Sequence, residues 1–227
     1  MNKVEIIPTC VPADLSALAL GARKITEFSD TIHIDVDDGI FTPVTTWPYD
    51  KDKNVTDFDL SSVVGLRSEV HLMTEEPREL GVSFARAGAK RIVGHVEGFS
   101  NSTEAHGALD SWRLHGAEAG LAILFQTPLE VLGPLIPSCD FVLMMCIATV
   151  GTQGIPYDPA APERIASLHD KYPELLISVD GGVSESNIAD LVRAGARRFS
   201  VGSAIMKNEN PGATYARLKM LAESAIF

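Results

Sequence analysis

The stretch Thr31-Ile-His-Ile-Asp-Val-Asp-Asp-Gly39 carries two signals at once. Read with a period of two, it sets Ile32, Ile34 and Val36 on one face of a strand and His33, Asp35 and Asp37 on the other. The β-branched face needs an apolar layer to cover it, so the strand is buried and its charged face points into an interior. Unpaired carboxylates are costly there, and counter-charge is expected beside them. The competing reading, a rim strand carrying solvated charge, fits the flanking isoleucines poorly. The second signal is that polar chemistry gathers toward the carboxyl end of the run. The same happens at His71, at His95 and Glu97, and at Asp180, each closing a similar β-branched segment.

Working outward, strand patterns fall at 4–10, 31–36, 68–73, 91–97, 119–125, 140–147, 175–180 and 198–201. Helical patterns lie between them at 14–28, 77–87, 103–114, 128–136, 162–171, 185–194 and 212–223, with 59–64 as a short helix after the second strand. Gly88-Ala89, Gly116-Ala117 and Gly195-Ala196 repeat one helix-to-strand turn. Eight alternating units leave two architectures, an open doubly wound sheet and a closed (β/α)8 TIM barrel. An open sheet would scatter the polar strand ends, whereas a barrel gathers them at one mouth, so a single barrel domain over 1–227 is expected.

Composition narrows the function. The 227 residues hold 19 Lys+Arg against 30 Asp+Glu, a formal charge of −11, which argues against a nucleic-acid surface. No apolar run is long enough to span a membrane, and no basic-then-apolar leader opens the chain. Cys10, Cys139 and Cys146 have no paired spacing, so a reduced, cytoplasmic protein is expected.

His33, Asp35, His71 and Asp180 come from three strand ends, and two imidazoles with two carboxylates suit a divalent ion such as zinc, iron(II) or manganese. Met73 shares a face with His71. Two glycine turns follow consecutive strands: Asp180-Gly-Gly-Val183, leading toward a helix start at Ser184, and Val201-Gly-Ser-Ala204. Backbone N–H groups in such turns can cradle a phosphate. Met144 and Met145, with Phe141 and Ile147, read as strand core, although one methionine could line the mouth.

Over nearly its whole length the chain resembles the ribulose-phosphate 3-epimerase family. The residues carrying the resemblance are Pro8-Thr9 with Ala13-Asp14-Leu15, then His33-Ile-Asp-Val-Asp-Asp-Gly39 with Phe41 and Pro43. They continue with Val70-His-Leu-Met73, His95-Val96, Val179-Asp-Gly-Gly-Val183 and Val201-Gly-Ser-Ala-Ile205. The resemblance implies a ribulose-phosphate-binding type of (β/α)8 barrel that acts as an isomerase of the pentose phosphate pathway. It also implies one divalent cation per chain (Zn, Fe(II), Mn or Co) on His33, Asp35, His71 and Asp180, with Asp35 and Asp180 as the acid/base pair. Thr9, His71, Met73, Met145, Gly151, Gly181, Gly182, Gly202 and Ser203 would contact a phosphorylated ketose, and the chain would work as a homo-oligomer, a dimer or hexamer. Three places depart from the family pattern. Asp37 replaces a methionine, Val44 replaces an asparagine ahead of Thr45-Thr-Trp-Pro48, and 148–154 replaces a glycine-rich loop.

The chemistry also follows from the constellation. Inverting a carbon beside a carbonyl means removing a weakly acidic proton on one face and returning it on the other, which two carboxylates can do. A cation stabilises the charge that develops. The expected activity is 3-epimerisation between ribulose 5-phosphate and xylulose 5-phosphate. Alternatives are another ketose phosphate such as a hexulose 6-phosphate, a lyase, for which no strand-end lysine is found, or a non-catalytic sugar-phosphate binding barrel.

Overall fold

A computed structural model describes residues 3–56, 58–151 and 155–226. Its eight strands are β1 (Glu5–Cys10), β2 (Thr31–Asp37), β3 (Arg67–Met73), β4 (Arg91–His95), β5 (Glu118–Ile123), β6 (Phe141–Met145), β7 (Leu176–Asp180) and β8 (Arg198–Val201). They close in chain order into a parallel barrel, with β8 beside β1. The helices are α1 (Leu15–Ile25), α2 (Pro77–Arg86), α3 (Ser102–Leu114), α4 (Ala161–Lys171), α5 (Ile188–Arg193), α6 (Ser203–Met206) and α7 (Pro211–Ser224). The (β/α)8 barrel expected from the alternation is present, and Gly88, Gly116 and Gly195 each take the left-handed conformation that ends a helix before the next strand.

Strand alternation divides the core in two. Ile32, Ile34, Val36, Val70, Leu72, Ile92, Leu121, Val142, Ile177 and Phe199 face the helices in one continuous apolar layer, fully buried. Each such side chain contributes about 1.5–3 kcal/mol by leaving water. The other face fills the barrel, and at its amino-terminal end that filling is ionic. Glu69 lies 3.5 Å from Arg198 and 3.8 Å from Arg91, while Glu5 and Glu118 also pair with both arginines. Above this layer Phe141, Val93, Ala122 and Leu143 form an apolar plug, with the Arg198 guanidinium 4.7 Å over the Phe141 ring. The barrel is therefore closed from below, and chemistry is confined to the carboxyl-terminal mouth.

Four local expectations are corrected. Residues 128–136 do not make a helix. Gly133 and Pro134 interrupt it, leaving 3-10 turns at Leu129–Leu132 and Ile136–Ser138. The segment after β2 forms only a 3-10 turn at Ser61–Val63. The helix expected from 185 begins at Ile188, after a turn over 185–187 in which the Asn187 side chain accepts the Ser184 N–H at 2.8 Å. The glycine pair at 181–182 therefore does not run straight into a helix. Finally, β4 stops at His95, and Glu97 sits on the 3-10 turn Val96–Gly98.

Candidate active site and metal centre

The mouth holds a cavity lined by Thr9, Asp35, Asp37, Met73, Met145, Gly151, Asp180, Gly181, Gly182, Ser200, Gly202 and Ser203, among others. One half of it is apolar, built by Met73, Met145, Ile147 and Val150. The other half carries three carboxylates, and no lysine or arginine is among its described lining residues. Of the residues expected to meet substrate, Thr9, Met73, Met145, Gly151, Gly181, Gly182, Gly202 and Ser203 all reach this cavity. His71 does not line it and lies fully buried behind the aspartates. Within the loop 148–154, residues Thr152, Gln153 and Gly154 lie outside the described residues.

β2, β3 and β7 bring His33, Asp35, His71 and Asp180 together, so that one nitrogen or oxygen from each lies within 4.8 Å of all the others. The register explains part of this, because Asp35 stands directly opposite His71 across the β2–β3 pair. His33 Nε2 is 3.1 Å from Asp35 Oδ1, and His71 Nδ1 is 3.2 Å from Asp35 Oδ1 and 3.6 Å from Asp180 Oδ2. Both imidazoles and both carboxylates turn ligand atoms to one point, a nitrogen/oxygen donor set of the type that holds zinc, iron(II), manganese or cobalt. Clustered carboxylates without a neighbouring lysine or arginine repel each other, and a cation at that point offsets the repulsion. The residues fit a divalent ion.

Electrostatics separates the two aspartates. Burial raises both, but His33 and His71 hold Asp35 well below the usual carboxylate range. Burial and the nearby Asp35 charge push Asp180 upward instead. Burial alone would discharge His33, yet hydrogen bonds to Asp35 and Glu69 hold its proton affinity well above the ordinary imidazole value. Its far nitrogen, Nδ1, meets Glu69 Oε1 at 2.8 Å and Ser200 Oγ at 3.0 Å. Burial opposes charge on Glu69 too, but His33, Arg198 and Arg91 hold it at about 2.

Asp37 does not reach the rim or pair with a basic residue among those described. It is buried, faces the cavity, and accepts a hydrogen bond from the Thr42 hydroxyl at 2.8 Å. Burial, with Asp35, Asp38 and Asp180 nearby, pushes its carboxyl up to about 7. Gly151 packs on Thr42, and a Cβ there would fall 2.5 Å from the Thr42 Cβ. Gly181 and Gly182 both take positive φ, at 103° and 66°, a turn that exposes successive backbone groups at the mouth. The Thr9 hydroxyl is buried in the cavity wall and has no hydrogen-bond partner among the described residues, so it is available to a ligand.

Sequence reasoning missed Glu69, Ser200, Thr42 and the apolar wall residues Ile147, Val150 and Ile155. Glu69 shares the inward face of β3 with His71, which was a usable signal. Arg91 stands opposite it across the β3–β4 pair, whereas Arg198 on β8 meets it only across the closed barrel.

The chain also matches known proteins. A family model described as "Ribulose-phosphate 3 epimerase family" matches residues 5–206. The ribulose-phosphate 3-epimerase of Chlamydia muridarum is 34% identical over 215 residues, 91% of this chain and 90% of that protein. That of Synechocystis sp. is 32% identical over 215 residues, 92% and 90% of the two chains. Among solved structures, a 3-keto-L-gulonate-6-phosphate decarboxylase from Vibrio cholerae superposes with a TM-score of 0.73, covering 99% of this chain and 100% of that one. At 13% identity that likeness reflects the barrel fold alone.

Proposed function

The chain belongs to the ribulose-phosphate 3-epimerase family, and from that premise we propose that it interconverts D-ribulose 5-phosphate and D-xylulose 5-phosphate by two-aspartate proton transfer at C3. It is an enzyme, an isomerase that acts on carbohydrate. The observation that carries the detailed reading is the placement of Asp35 and Asp180, which enter one cavity from β2 and β7 with the His71 ring within 3.6 Å of both.

In the forward direction the Asp35 carboxylate takes the C3 proton from one face of the ketose, leaving an enediolate. The Asp180 carboxyl returns a proton to the opposite face, and the reverse reaction exchanges the roles. His33 and His71 hold Asp35 ionised, as a base must begin, and burial with the Asp35 charge raises the proton affinity of Asp180 in the direction that an acid needs. One divalent ion per chain, held by His33, Asp35, His71 and Asp180, would supply Lewis-acid polarisation of the substrate carbonyl. Met73, Met145, Ile147 and Val150 cover the apolar side of the site and exclude water from it. Thr9 offers to a sugar oxygen a hydroxyl that has no partner among the described residues. With no lysine or arginine among the described lining residues, the phosphate would be held by backbone amides at Gly181-Gly182 and Gly202-Ser203, with Gly151 closing the wall.

Asp37 favours a second substrate. A carboxylate on the cavity wall, where the family pattern has an apolar side chain, can accept a hydrogen bond from an additional sugar hydroxyl, which a hexulose 6-phosphate provides. We extend the reading to a single-domain chain acting as a cytoplasmic homo-oligomer, dimer or hexamer. Three free cysteines support a reducing compartment, and no helix among the described residues is long and apolar enough to cross a membrane.

An assay over a panel of ketose phosphates, with and without chelator, tests the proposal. The expected result is chelator-sensitive C3 inversion of a phosphorylated ketose. Equal turnover of unphosphorylated ribulose or psicose would overturn the phosphosugar reading.

A further inference from the structure

Behind the candidate metal centre lies a second row of buried and half-buried polar groups that the proposed reaction does not use. His71 Nε2 is 2.9 Å from His95 Nε2, and His95 Nδ1 is 3.2 Å from Glu97 Oε2. The other Glu97 oxygen accepts the Leu124 N–H at 3.0 Å, which ties the turn after β4 to the end of β5. His71 and His95 are both fully buried, with ring centroids 5.0 Å apart, and Phe41 packs 4.9 Å from the His95 ring.

The hydrogen-bond directions in this row follow from one end. Glu97 is a carboxylate acceptor, so the His95 nitrogen facing it, Nδ1, carries the proton. A neutral His95 then presents a lone pair at Nε2. Two ring nitrogens 2.9 Å apart need one donor and one acceptor, so His71 donates from Nε2. The remaining His71 nitrogen, Nδ1, is the one that faces Asp35 and Asp180. His95 has no free nitrogen of its own to offer an ion, and it is not in the converging set.

We propose that His95 and Glu97 form a positioning relay that locks the His71 ring, with its proton on Nε2 and its Nδ1 lone pair turned to the metal centre. The proposal rests on the metal reading above and extends it to two residues outside the ligand set. Neither residue touches substrate. Their role is to fix ring orientation and tautomer, which sets how tightly an ion is held.

The test uses the full-length protein stripped with chelator and titrated with Co(II), followed by the visible absorption of the bound ion. Loss of the acceptor in His95→Leu should weaken Co(II) binding by roughly 10- to 100-fold, while His95→Gln, whose amide oxygen can still accept from His71 Nε2, should recover most of it. Unchanged affinity in a folded His95→Leu variant overturns the relay, as does equal weakening in both variants. Nitrogen-15 NMR of histidine-labelled wild-type protein reads the same feature without any substitution, so it decides the matter even if His95→Leu fails to fold. His95 protonated on Nδ1 supports the relay, and His95 protonated on Nε2 overturns it. A wild-type chain that binds no Co(II) would overturn the metal reading itself, and the His95 tautomer would then decide alone whether the relay exists.

Discussion

Replacing Asp37 by Asn removes a buried charge while keeping an oxygen to accept the Thr42 hydroxyl. The wild-type carboxyl titrates at about 7 instead of 3.8, chiefly because of burial and then because of Asp35. That difference amounts to at most about 4 kcal/mol. Its sign follows from proton counting. Below about pH 4 both folded and unfolded chains hold the proton and the charge costs nothing. Between about pH 4 and 7 the unfolded chain ionises first, the folded chain binds more protons, and stability falls as pH rises. Above about pH 7 the full cost is present. Asp37→Asn should therefore match the wild type near pH 4 and exceed it increasingly up to pH 7, then hold a constant lead. For a chain of this size, 4 kcal/mol corresponds to a ceiling of roughly 8–16 °C in Tm. The measurement is thermal unfolding of both proteins from pH 4 to 9 in chelator, so that no cation compensates the carboxylates. An offset that does not change with pH, or a lead confined to acid, would refute the argument that Asp37 is held as an acid by its surroundings.

Further outcomes follow from the same geometry. Asp35→Asn and Asp180→Asn should each lower kcat by roughly 10²–10⁴-fold with the fold intact by circular dichroism, and substantial residual turnover in Asp180→Asn would sink the two-carboxylate assignment. Gly202→Val should fold normally, because a Cβ there sits 3.6 Å from the Thr9 Cβ in ordinary contact. It should raise KM by roughly 10–100-fold through loss of a charge-assisted bond to phosphate, and an unchanged KM would place the phosphate elsewhere. Glu69→Gln should cost about 3–5 kcal/mol near neutral pH, because it leaves Arg91 and Arg198 under-compensated in the barrel. With Glu69 held at about 2, its contribution is lost as pH falls from about 4.5, so the deficit measured by denaturant unfolding should shrink in acid.

Strand alternation in Thr31–Asp37 and the polar strand ends were local signals, legible because a period of two sends successive side chains to opposite faces whatever the neighbours are. From them came the barrel, the inward set of His33, Asp35 and Asp37, and the expectation that His71 and Asp180 would meet Asp35. Local signals failed where a choice depended on contacts. The apolar run at 128–136 has helical spacing, yet Gly133 and Pro134 broke it into turns. The partner of Asp37 was not a local signal, because the Thr42 hydroxyl whose hydrogen bond it accepts arrives across the following loop. The bracing of the candidate ligand histidines was legible only in part, because Glu69 shares an inward face with His71 but its own partners do not show in the sequence. Glu69 reaches His33 across the β2–β3 pair and draws its own counter-charge from Arg91 and Arg198, which are 22 and 129 positions away in the chain. Sequence alone determined which residues face inward, since that depends on backbone geometry. Closure of the barrel decided which of them touch, since the first and eighth strands meet only when all the others are in place.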